Sequence, residues 1–215
     1  MVAAALSANS NIRIVFVRII GMTRDGARQT LTQNGIASAI RWTIANKDRF
    51  NIQAVVMSQG NPYYNPGPNY CPVLSTFNEA VKSLQEADLP FFAPAGNESN
   101  YTKINWPACV PEVVSIGALD GSGGMALYSN FDQNSLDFVA MGTMKLTNPD
   151  ASVTNQVGTS IAAQVAAAQF LAIKTAKPIL NTKQILELMT KTSVVARSAK
   201  HASGKLIDLN SALKP

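Results

Sequence analysis

GTSIAAQVAAAQFLAIK, residues 158–174, is an alanine-rich and almost uncharged segment that predicts a long buried helix. Gly158 permits a tight turn before this helix, and Ser160 then falls in its first turn. Backbone N–H groups lack helical acceptors there, and the helix dipole is positive. This environment favours an oxyanion beside the serine, although a serine at a helix start is far more often a cap than a nucleophile.

A second segment of interest is residues 93–97, APAGN, a predicted strand end that runs into Gly96 and Asn97. Glycine permits a sharp exit from a sheet, so Asn97 can project its side-chain amide from the strand end. An asparagine after a strand is more often a turn residue. Spacing alone therefore leaves an acyl-transfer site as the minority interpretation of Ser160 and Asn97.

Strands alternate with helices along the rest of the chain. Apolar β-branched runs predict strands, and apolar residues at helical spacing predict helices. The predicted strands are 12–20, 52–57, 90–95, 113–119 and 136–140, and the predicted helices are 31–46, 75–87, 159–174 and 182–192. This order predicts one α/β domain over residues 1–215, with a three-layer parallel sheet covered by helices on both faces. We expect the ligand site beyond the carboxyl ends of the strands, where Ser58, Asn97 and Ser160 lie.

Composition excludes several classes of protein. The chain has 215 residues, of which 47% are apolar and 14% charged, and a formal net charge of +5. The basic residues are scattered and do not interleave with aromatic residues, so nucleic acid is not an expected partner. No apolar run approaches the length of a membrane span. The chain start lacks the basic region of a signal peptide and is interpreted as the tail of a helix.

The cysteine and histidine content bears on compartment and metal binding. Cys71 and Cys109 lie in loop-like surroundings, and a disulfide and two reduced thiols are about equally compatible with the sequence. A disulfide would indicate an oxidising compartment. The only histidine is His201. Two separated cysteines and one histidine are not a ligand set, so neither a metal site nor a cofactor is predicted, and structural calcium is left open.

A set of short motifs, taken together and in chain order, resembles the subtilisin-like serine peptidases, the subtilases of peptidase family S8. The family has a strand ending in Ser-x-Gly, an Ala-Ala-Gly-Asn strand end, a Pro-Ala-x-x-Pro-x-Val-x-x-Val-Gly-Ala stretch, a Tyr/Phe-Ser-Asn segment and Gly-Thr-Ser-x-Ala-Ala. Similar sequences occur here at 58–60, 93–97, 107–118, 128–130 and 158–163. The resemblance therefore spans nearly the whole chain.

The resemblance implies a subtilisin-like fold and serine endopeptidase activity through an acyl-enzyme. Ser160 would be the nucleophile, and the Asn97 amide with the Ser160 backbone N–H would hold the oxyanion. A polypeptide substrate would lie extended and pair by main-chain hydrogen bonds. Its binding residues would be Ser58, Gly60, Ala95 and Gly96. Secretion or another extracytoplasmic location is also implied.

The pattern breaks at the other two catalytic residues. The family carries Asp and then His before the nucleophile, whereas His201 lies beyond Ser160 and is interpreted as an exposed loop residue. Asp25 follows the first predicted strand instead of preceding it. Losing the histidine lowers turnover roughly a million-fold in subtilisin. The isolated chain is therefore expected to be inactive or nearly so.

The missing part has an expected location. In the family, His-Gly-Thr is followed by x-Val-Ala, and this chain opens Met1-Val2-Ala3. A segment carrying the Asp and the His is therefore an expected partner or extension. Its strand would lie between 12–20 and 52–57, and exposed edges at these strands predict limited solubility. Gln164 stands where the family has proline after Ala-Ala, and Met141 also departs from the family pattern.

Two other functions are compatible with the sequence. One is a non-catalytic peptide-binding pseudo-peptidase that keeps the cleft. The other is an unrelated α/β protein that binds a small ligand. The glycine-rich residues 121–124 lack both the G-x-G-x-x-G spacing and a following helix, so they are interpreted as a turn.

Overall fold

The helices and strands are taken from a computed structural model that describes residues 2–21, 24–26, 32–61, 71, 74–147, 150–197 and 203–214. Helices α1 to α6 span Val2–Ala8, Gln33–Phe50, Ser75–Glu86, Thr159–Ala176, Thr182–Thr192 and Leu209–Ala212. Strands β1 to β8 span Val55–Val56, Phe91–Pro94, Val114–Leu119, Phe138–Met141, Thr143–Thr147, Val153–Val157, Val194–Arg197 and Ser203–Leu206.

Six of these strands form one sheet in the order β1-β2-β3-β4-β8-β7. Neighbours from β1 to β8 in this order run parallel, and β7 closes one edge as the antiparallel partner of β8. The parallel register sets the carboxyl ends of β1 to β4 at one edge of the sheet. Strands β5 and β6 form a separate antiparallel hairpin.

Side chains of the sheet alternate between two apolar cores, one on each face. On β2, Phe91 belongs to the core beneath α2 and α3, whereas Phe92 belongs to the core beneath α4. Phe77 of α3 meets Phe91 edge-on with ring centroids 5.9 Å apart. Phe170 of α4 meets Phe92 at 5.7 Å. This alternation confirms the predicted α/β architecture with helices on both faces of a mostly parallel sheet.

Local capping explains where two helices begin. At α2, the Thr32 hydroxyl accepts a hydrogen bond from the Gly35 N–H at 3.0 Å. At α5, Asn181 Oδ1 accepts from the Gln184 N–H at 2.9 Å, and Gln184 Oε1 accepts from the Asn181 N–H at 2.9 Å. This reciprocal arrangement is a capping box, which satisfies two N–H groups that have no helical acceptor. The predicted helix 182–192 coincides with α5.

The strand predicted at 12–20 is wrong, because these described residues form no backbone ladder. Ile14 is 42% exposed and Phe16 is 79% exposed. Strand β1 pairs with β2 on one side, and the described residues provide no partner on the other. A β-branched run favours a half-buried pleated surface but becomes a strand only beside a partner, which this run lacks.

Two connecting elements complete the frame of the site. The chain start forms α1, as the sequence predicted, with Ala4 and Ala5 buried. The β5–β6 hairpin, which the sequence did not predict, carries the chain from the end of β4 to the start of α4. Val153 and Val157 of this hairpin are exposed.

No helix among the described residues is long and apolar enough to cross a membrane.

Two further contacts stabilise the sheet and its loops. Cys71 and Cys109 form a disulfide, which decides between the two states that the sequence left open.

At the amino end of β4, Asp137 Oδ2 accepts from the Ser115 N–H and hydroxyl, both at 2.8 Å. Burial raises the pKa of Asp137 above its ordinary value, and the bonds from Ser115 offset part of this rise.

Candidate active site

Three chain segments converge at the carboxyl edge of the sheet. Ser58 follows β1, Gly96 and Asn97 follow β2, and Ser160 lies in the first turn of α4. The Ser160 hydroxyl donates to the Ser58 carbonyl oxygen at 3.3 Å, although 102 residues separate them in the sequence. The fold thus brings together Ser58, Asn97 and Ser160, which the sequence singled out separately.

The side chain of Asn97 is held in one orientation by Thr159. The Thr159 N–H and hydroxyl both donate to Asn97 Oδ1, at 2.9 and 3.0 Å. The Gly96 N–H in turn donates to the Thr159 hydroxyl oxygen at 3.2 Å, and Thr159 is fully buried. Because Asn97 Oδ1 accepts both of these hydrogen bonds, Asn97 Nδ2 points away from Thr159. This Nδ2 has no partner among the described residues.

A second free donor lies beside this amide. Gly158 begins α4 with a φ of 151°, and its own N–H donates to the Gly142 carbonyl at 2.9 Å. The Ser160 N–H has no acceptor in the described part of the chain, as expected for the first turn of a helix. A Cβ added at Gly158 would lie 3.8 Å from Asn97 Nδ2 and 3.9 Å from Ser160 N. Two unengaged N–H donors therefore flank the same point.

Ser58, Ser160 and Gln164 form a hydrogen-bonded group. The Ser58 hydroxyl donates to the Ser160 carbonyl at 3.1 Å, while the Ser160 hydroxyl donates to the Ser58 carbonyl. Gln164 Nε2 donates to the Ser58 hydroxyl oxygen at 3.0 Å, and Gln164 is buried. Gln164, which stands where the family has proline, therefore links α4 to the end of β1.

The hydroxyl of Ser160 hydrogen-bonds to no titratable side chain among the described residues. Its one hydrogen-bond acceptor there is a main-chain carbonyl, which cannot take the proton of an attacking hydroxyl. His201 lies outside the described residues. Asp25 lies in a turn with Arg24 and Gly26. No carboxylate of the described residues hydrogen-bonds to Ser160.

A polar cluster lies directly beneath Gly96. Glu98 Oε2 accepts from the Asn97 N–H at 3.0 Å, from Asn105 Nδ2 at 3.0 Å and from Asn130 Nδ2 at 2.6 Å. Asn130 Oδ1 accepts from the Glu98 N–H at 3.1 Å and from the Asn100 N–H at 3.0 Å. Asn105 and Asn130 are almost fully buried. The cluster fixes the loop that carries Asn97, and sequence reasoning did not identify it.

The predicted substrate-binding residues differ in what they offer a peptide. Ala95 is buried, its N–H donates to Ile116, and its carbonyl accepts from the Asn105 N–H. Gly96 is buried too, with its N–H and carbonyl both engaged within the protein. Gly60 is exposed, and its backbone groups have no partner among the described residues. Among the described residues, Gly60 is therefore the one of these four whose main-chain N–H and carbonyl are both free, because the Ser58 carbonyl accepts from the Ser160 hydroxyl.

Tyr128 braces the turn before α4. Its hydroxyl donates to the Gly142 carbonyl at 3.2 Å, the same carbonyl that accepts from the Gly158 N–H. Burial raises the pKa of Tyr128, so the phenol stays a neutral donor.

Within the described residues, no three His, Cys, Asp or Glu side chains are grouped so that they could hold a metal ion.

An open depression lies away from these residues. It measures about 760 Å³ and opens at the amino ends of β2, β3 and β4, where Pro90, Val113 and Asp137 line it. None of the residues named around Ser160 contributes to its wall. The catalytic interpretation therefore rests on hydrogen-bond geometry and not on cavity size.

Comparison with known proteins identifies the family. The sequence model of the subtilase family, peptidase S8, matches residues 2–209. The chain belongs to the subtilase family.

Individual relatives agree with this membership. This subtilase is similar to the minor extracellular protease Epr of Bacillus subtilis, with 28% identity over 187 residues, covering 85% of this chain and 25% of Epr. It is 31% identical over 158 residues to alkaline protease 1 of Aspergillus oryzae, covering 70% of this chain and 36% of that protein. The crystal structure of a lanthipeptide protease superposes with a TM-score of 0.77 at 16% identity, covering 99% of this chain and 73% of the other. The chain thus spans about a quarter to a third of these two curated relatives, and the structural likeness shows the subtilisin-like fold.

Proposed function

We propose that this subtilase chain carries the nucleophile and oxyanion site of a serine endopeptidase. Ser160 attacks the scissile carbonyl to form an acyl-enzyme, and Asn97 Nδ2 with the Ser160 N–H holds the oxyanion. The observation that carries the proposal is that Asn97 Nδ2 and the Ser160 N–H, neither of which has an acceptor among the described residues, both lie within 4 Å of the position that a Cβ at Gly158 would take. Donors fixed before the reaction stabilise the developing charge without reorganisation.

The proposed substrate is a polypeptide in extended conformation. The Ser58 N–H and the main-chain groups of Gly60, which have no partner among the described residues, would pair with it, as in the addition of a strand to a sheet. Gly60 has no side chain, so a peptide backbone can approach closely. Ala95 and Gly96 support the site from beneath. The disulfide between Cys71 and Cys109 supports a secreted or otherwise extracytoplasmic location.

We further propose that residues 1–215 belong to one peptidase domain whose histidine and aspartate come from a segment outside this sequence. Without them Ser160 stays a neutral hydroxyl, and the isolated chain is at most a very poor peptidase. Among the described residues, β1 has no partner on its second side and residues 12–20 pair with no strand, and these two observations support a strand arriving between them. A strand buried there would satisfy the backbone groups of both neighbours.

The first test is to read the coding sequence upstream of Met1. An in-frame Asp-x-Gly followed by His-Gly-Thr is expected, and the extended protein is then expected to cleave casein and fluorogenic peptides. Ser160→Ala should lower turnover roughly a million-fold. Ser83→Ala, at an exposed helical serine that bonds only to Glu79, is the matched control and should leave activity unchanged. Full activity of the 215-residue chain by itself would refute the proposal that the catalytic base comes from a segment outside this sequence.

A peptide-binding protein without catalysis is the second candidate. It is favoured by the observation that the Ser160 hydroxyl donates to the Ser58 carbonyl instead of to a base. If upstream sequence encodes no Asp and His motifs, this function takes precedence. Labelled peptides should then bind without cleavage, and Ser160→Ala should leave their affinity unchanged.

A further inference from the structure

Gln164 lies one helical turn beyond Ser160 on α4. Residues four apart on a helix share a face, and their side chains lean toward the amino end of the helix. The side chain of Gln164 therefore reaches back toward the end of β1, where its Nε2 donates to the Ser58 hydroxyl oxygen at 3.0 Å. Gln164 is only 8% exposed, so water competes little for this hydrogen bond.

This bond sets the direction of the Ser58 hydroxyl proton. A serine hydroxyl has one proton to donate and two lone pairs that accept. Because Gln164 Nε2 occupies one lone pair, the proton is directed away from Gln164, and the hydroxyl donates it to the Ser160 carbonyl at 3.1 Å. A residue without a side-chain donor at position 164 would leave the Ser58 hydroxyl free to rotate.

The Ser58 hydroxyl is one half of a reciprocal pair of hydrogen bonds. The other half runs from the Ser160 hydroxyl to the Ser58 carbonyl at 3.3 Å. Ser58 follows β1, so this pair fastens the first turn of α4 to the sheet. In the same turn, Thr159 is fastened to Asn97 beyond the end of β2. Ser160 is thus held from two neighbouring strands.

The reciprocal pair also leaves the lone pairs of Ser160 Oγ available. The Ser58 carbonyl engages the proton of this hydroxyl, and Ser160 Oγ accepts no hydrogen bond from the described residues. These lone pairs are the electrons with which a serine attacks an electrophile. A nucleophile is most effective when its position is fixed before the reaction.

We propose that Gln164 is a positioning residue for the nucleophile: through the Ser58 hydroxyl it holds Ser160 Oγ beside the two donors that would receive an oxyanion. The inference rests on the proposed function of Ser160 and Asn97. The proline that the family has at this position carries no side-chain donor. Control of the Ser58 hydroxyl is therefore a property of this chain and does not follow from family membership.

An equilibrium measurement on the 215-residue chain tests this without a catalytic base. The probe is a peptide boronic acid, acetyl-Ala-Ala-alanine boronic acid, titrated into the protein and followed by boron NMR. The Ser160 oxygen forms a bond to trigonal boron, its proton passes to solvent, and the boron becomes tetrahedral and anionic without losing a substituent. The corresponding carboxylic acid, acetyl-Ala-Ala-Ala, measures non-covalent affinity on the same samples.

Gln164→Met nearly keeps the length of the side chain and removes the donor. It should weaken the tetrahedral boronate complex roughly two- to ten-fold, the effect of one hydrogen bond, and leave the affinity for the carboxylic acid unchanged. Ser58→Ala removes the acceptor, and Gln164→Met should have no further effect in that background. Gln169→Met is the matched control on the same helix and should leave both affinities unchanged, because Gln169 Oε1 has no partner among the described residues.

The outcomes separate this inference from the proposed function. If the wild-type chain forms the tetrahedral boronate and Ser160→Ala does not, but folded Gln164→Met binds both compounds as wild type does, the positioning role alone is overturned. Equal weakening of both compounds, or additive effects of Gln164→Met and Ser58→Ala, would also overturn it. If the wild-type chain forms no tetrahedral boronate, the proposed function fails, and the inference fails with it. Urea unfolding measures the folding of each variant, and Ser58→Ala tests the same contact if Gln164→Met does not fold.

Discussion

Replacing Gly96 by alanine should destabilise the protein more than any ordinary surface substitution. Gly96 has a φ of 113°, where a residue with a Cβ is strained by roughly 1–3 kcal/mol. The added Cβ would lie 2.2 Å from Asn130 Nδ2, 2.3 Å from Asn105 Nδ2 and 2.6 Å from Glu98 Oε2. All three atoms would have to move, and each displaced hydrogen bond to the carboxylate is worth about 1.5–3 kcal/mol.

Strain and the loss of one or two of these bonds add up to roughly 2.5–9 kcal/mol, with the middle of that range at about 6 kcal/mol. Such a value is exceptional for a single substitution and is a large part of a typical domain's stability. The assay is urea unfolding of the 215-residue chain, followed by fluorescence and analysed by linear extrapolation. Because the displaced atoms hold the loop of Asn97, peptide affinity at the site should fall with the stability.

Gly123→Ala is the matched control. Gly123 has a φ of 86°, and nothing lies within 4 Å of an added Cβ there. This substitution therefore reports only the backbone cost, about 1–2 kcal/mol. A loss at Gly96 no larger than the loss at Gly123 would refute the conclusion that the polar cluster is packed against Gly96 and supports the site.

Three other outcomes are expected. Thr159→Val removes a buried hydroxyl that orients Asn97 and should lower the free energy of unfolding by about 1–3 kcal/mol and weaken peptide binding, both measurable on the same samples. Because burial raises the folded-state pKa of Asp137 above the ordinary 3.8, folding is favoured by protonation there, and stability should fall as pH rises from that value through the raised pKa. Asp137→Asn should remove this fall, which urea unfolding at a series of pH values will measure. Reducing the disulfide between Cys71 and Cys109, 38 residues apart, should lower the unfolding free energy by about 3–4 kcal/mol, and an unchanged urea midpoint in dithiothreitol would contradict this.

Much of the fold could be predicted because its signals are local. The capping residues Asn181 and Gln184 lie next to the helix they start, and the apolar strands β2 and β3 are buried on both faces. The β5–β6 hairpin was missed although Thr143–Thr147 alternates between polar and apolar residues, because both strands are only five residues long and Val153–Val157 is mostly polar and exposed. Residues 12–20 have strand composition, but their pairing depends on a neighbour that composition does not reveal.

Prediction of the candidate site also succeeded where the signals are local and failed where they are not. Ser160 and Asn97 could be found because each lies next to a glycine at an element boundary, where chain direction and exposure follow from local rules. Asn105 could not, because it is an ordinary polar residue in the sequence and its importance comes only from the burial and hydrogen bonds that the tertiary structure gives it. Asn130 and Gln164 had one signal each: Asn130 ends the Tyr/Phe-Ser-Asn segment, and Gln164 stands where the family has proline. Neither signal reveals the hydrogen bonds that these side chains make.

The proposed function assigns the two tasks of a serine peptidase to different parts of the protein. Charge stabilisation would depend on Asn97 and the first turn of α4, and both are held by contacts within this chain through Thr159 and Gly96. Proton transfer would depend on a base from the proposed segment outside this sequence. Because the donors are already oriented without the base, binding of peptide carboxylates should survive in the isolated chain while turnover does not. Supplying the base should then raise the rate of acylation with little change in peptide affinity.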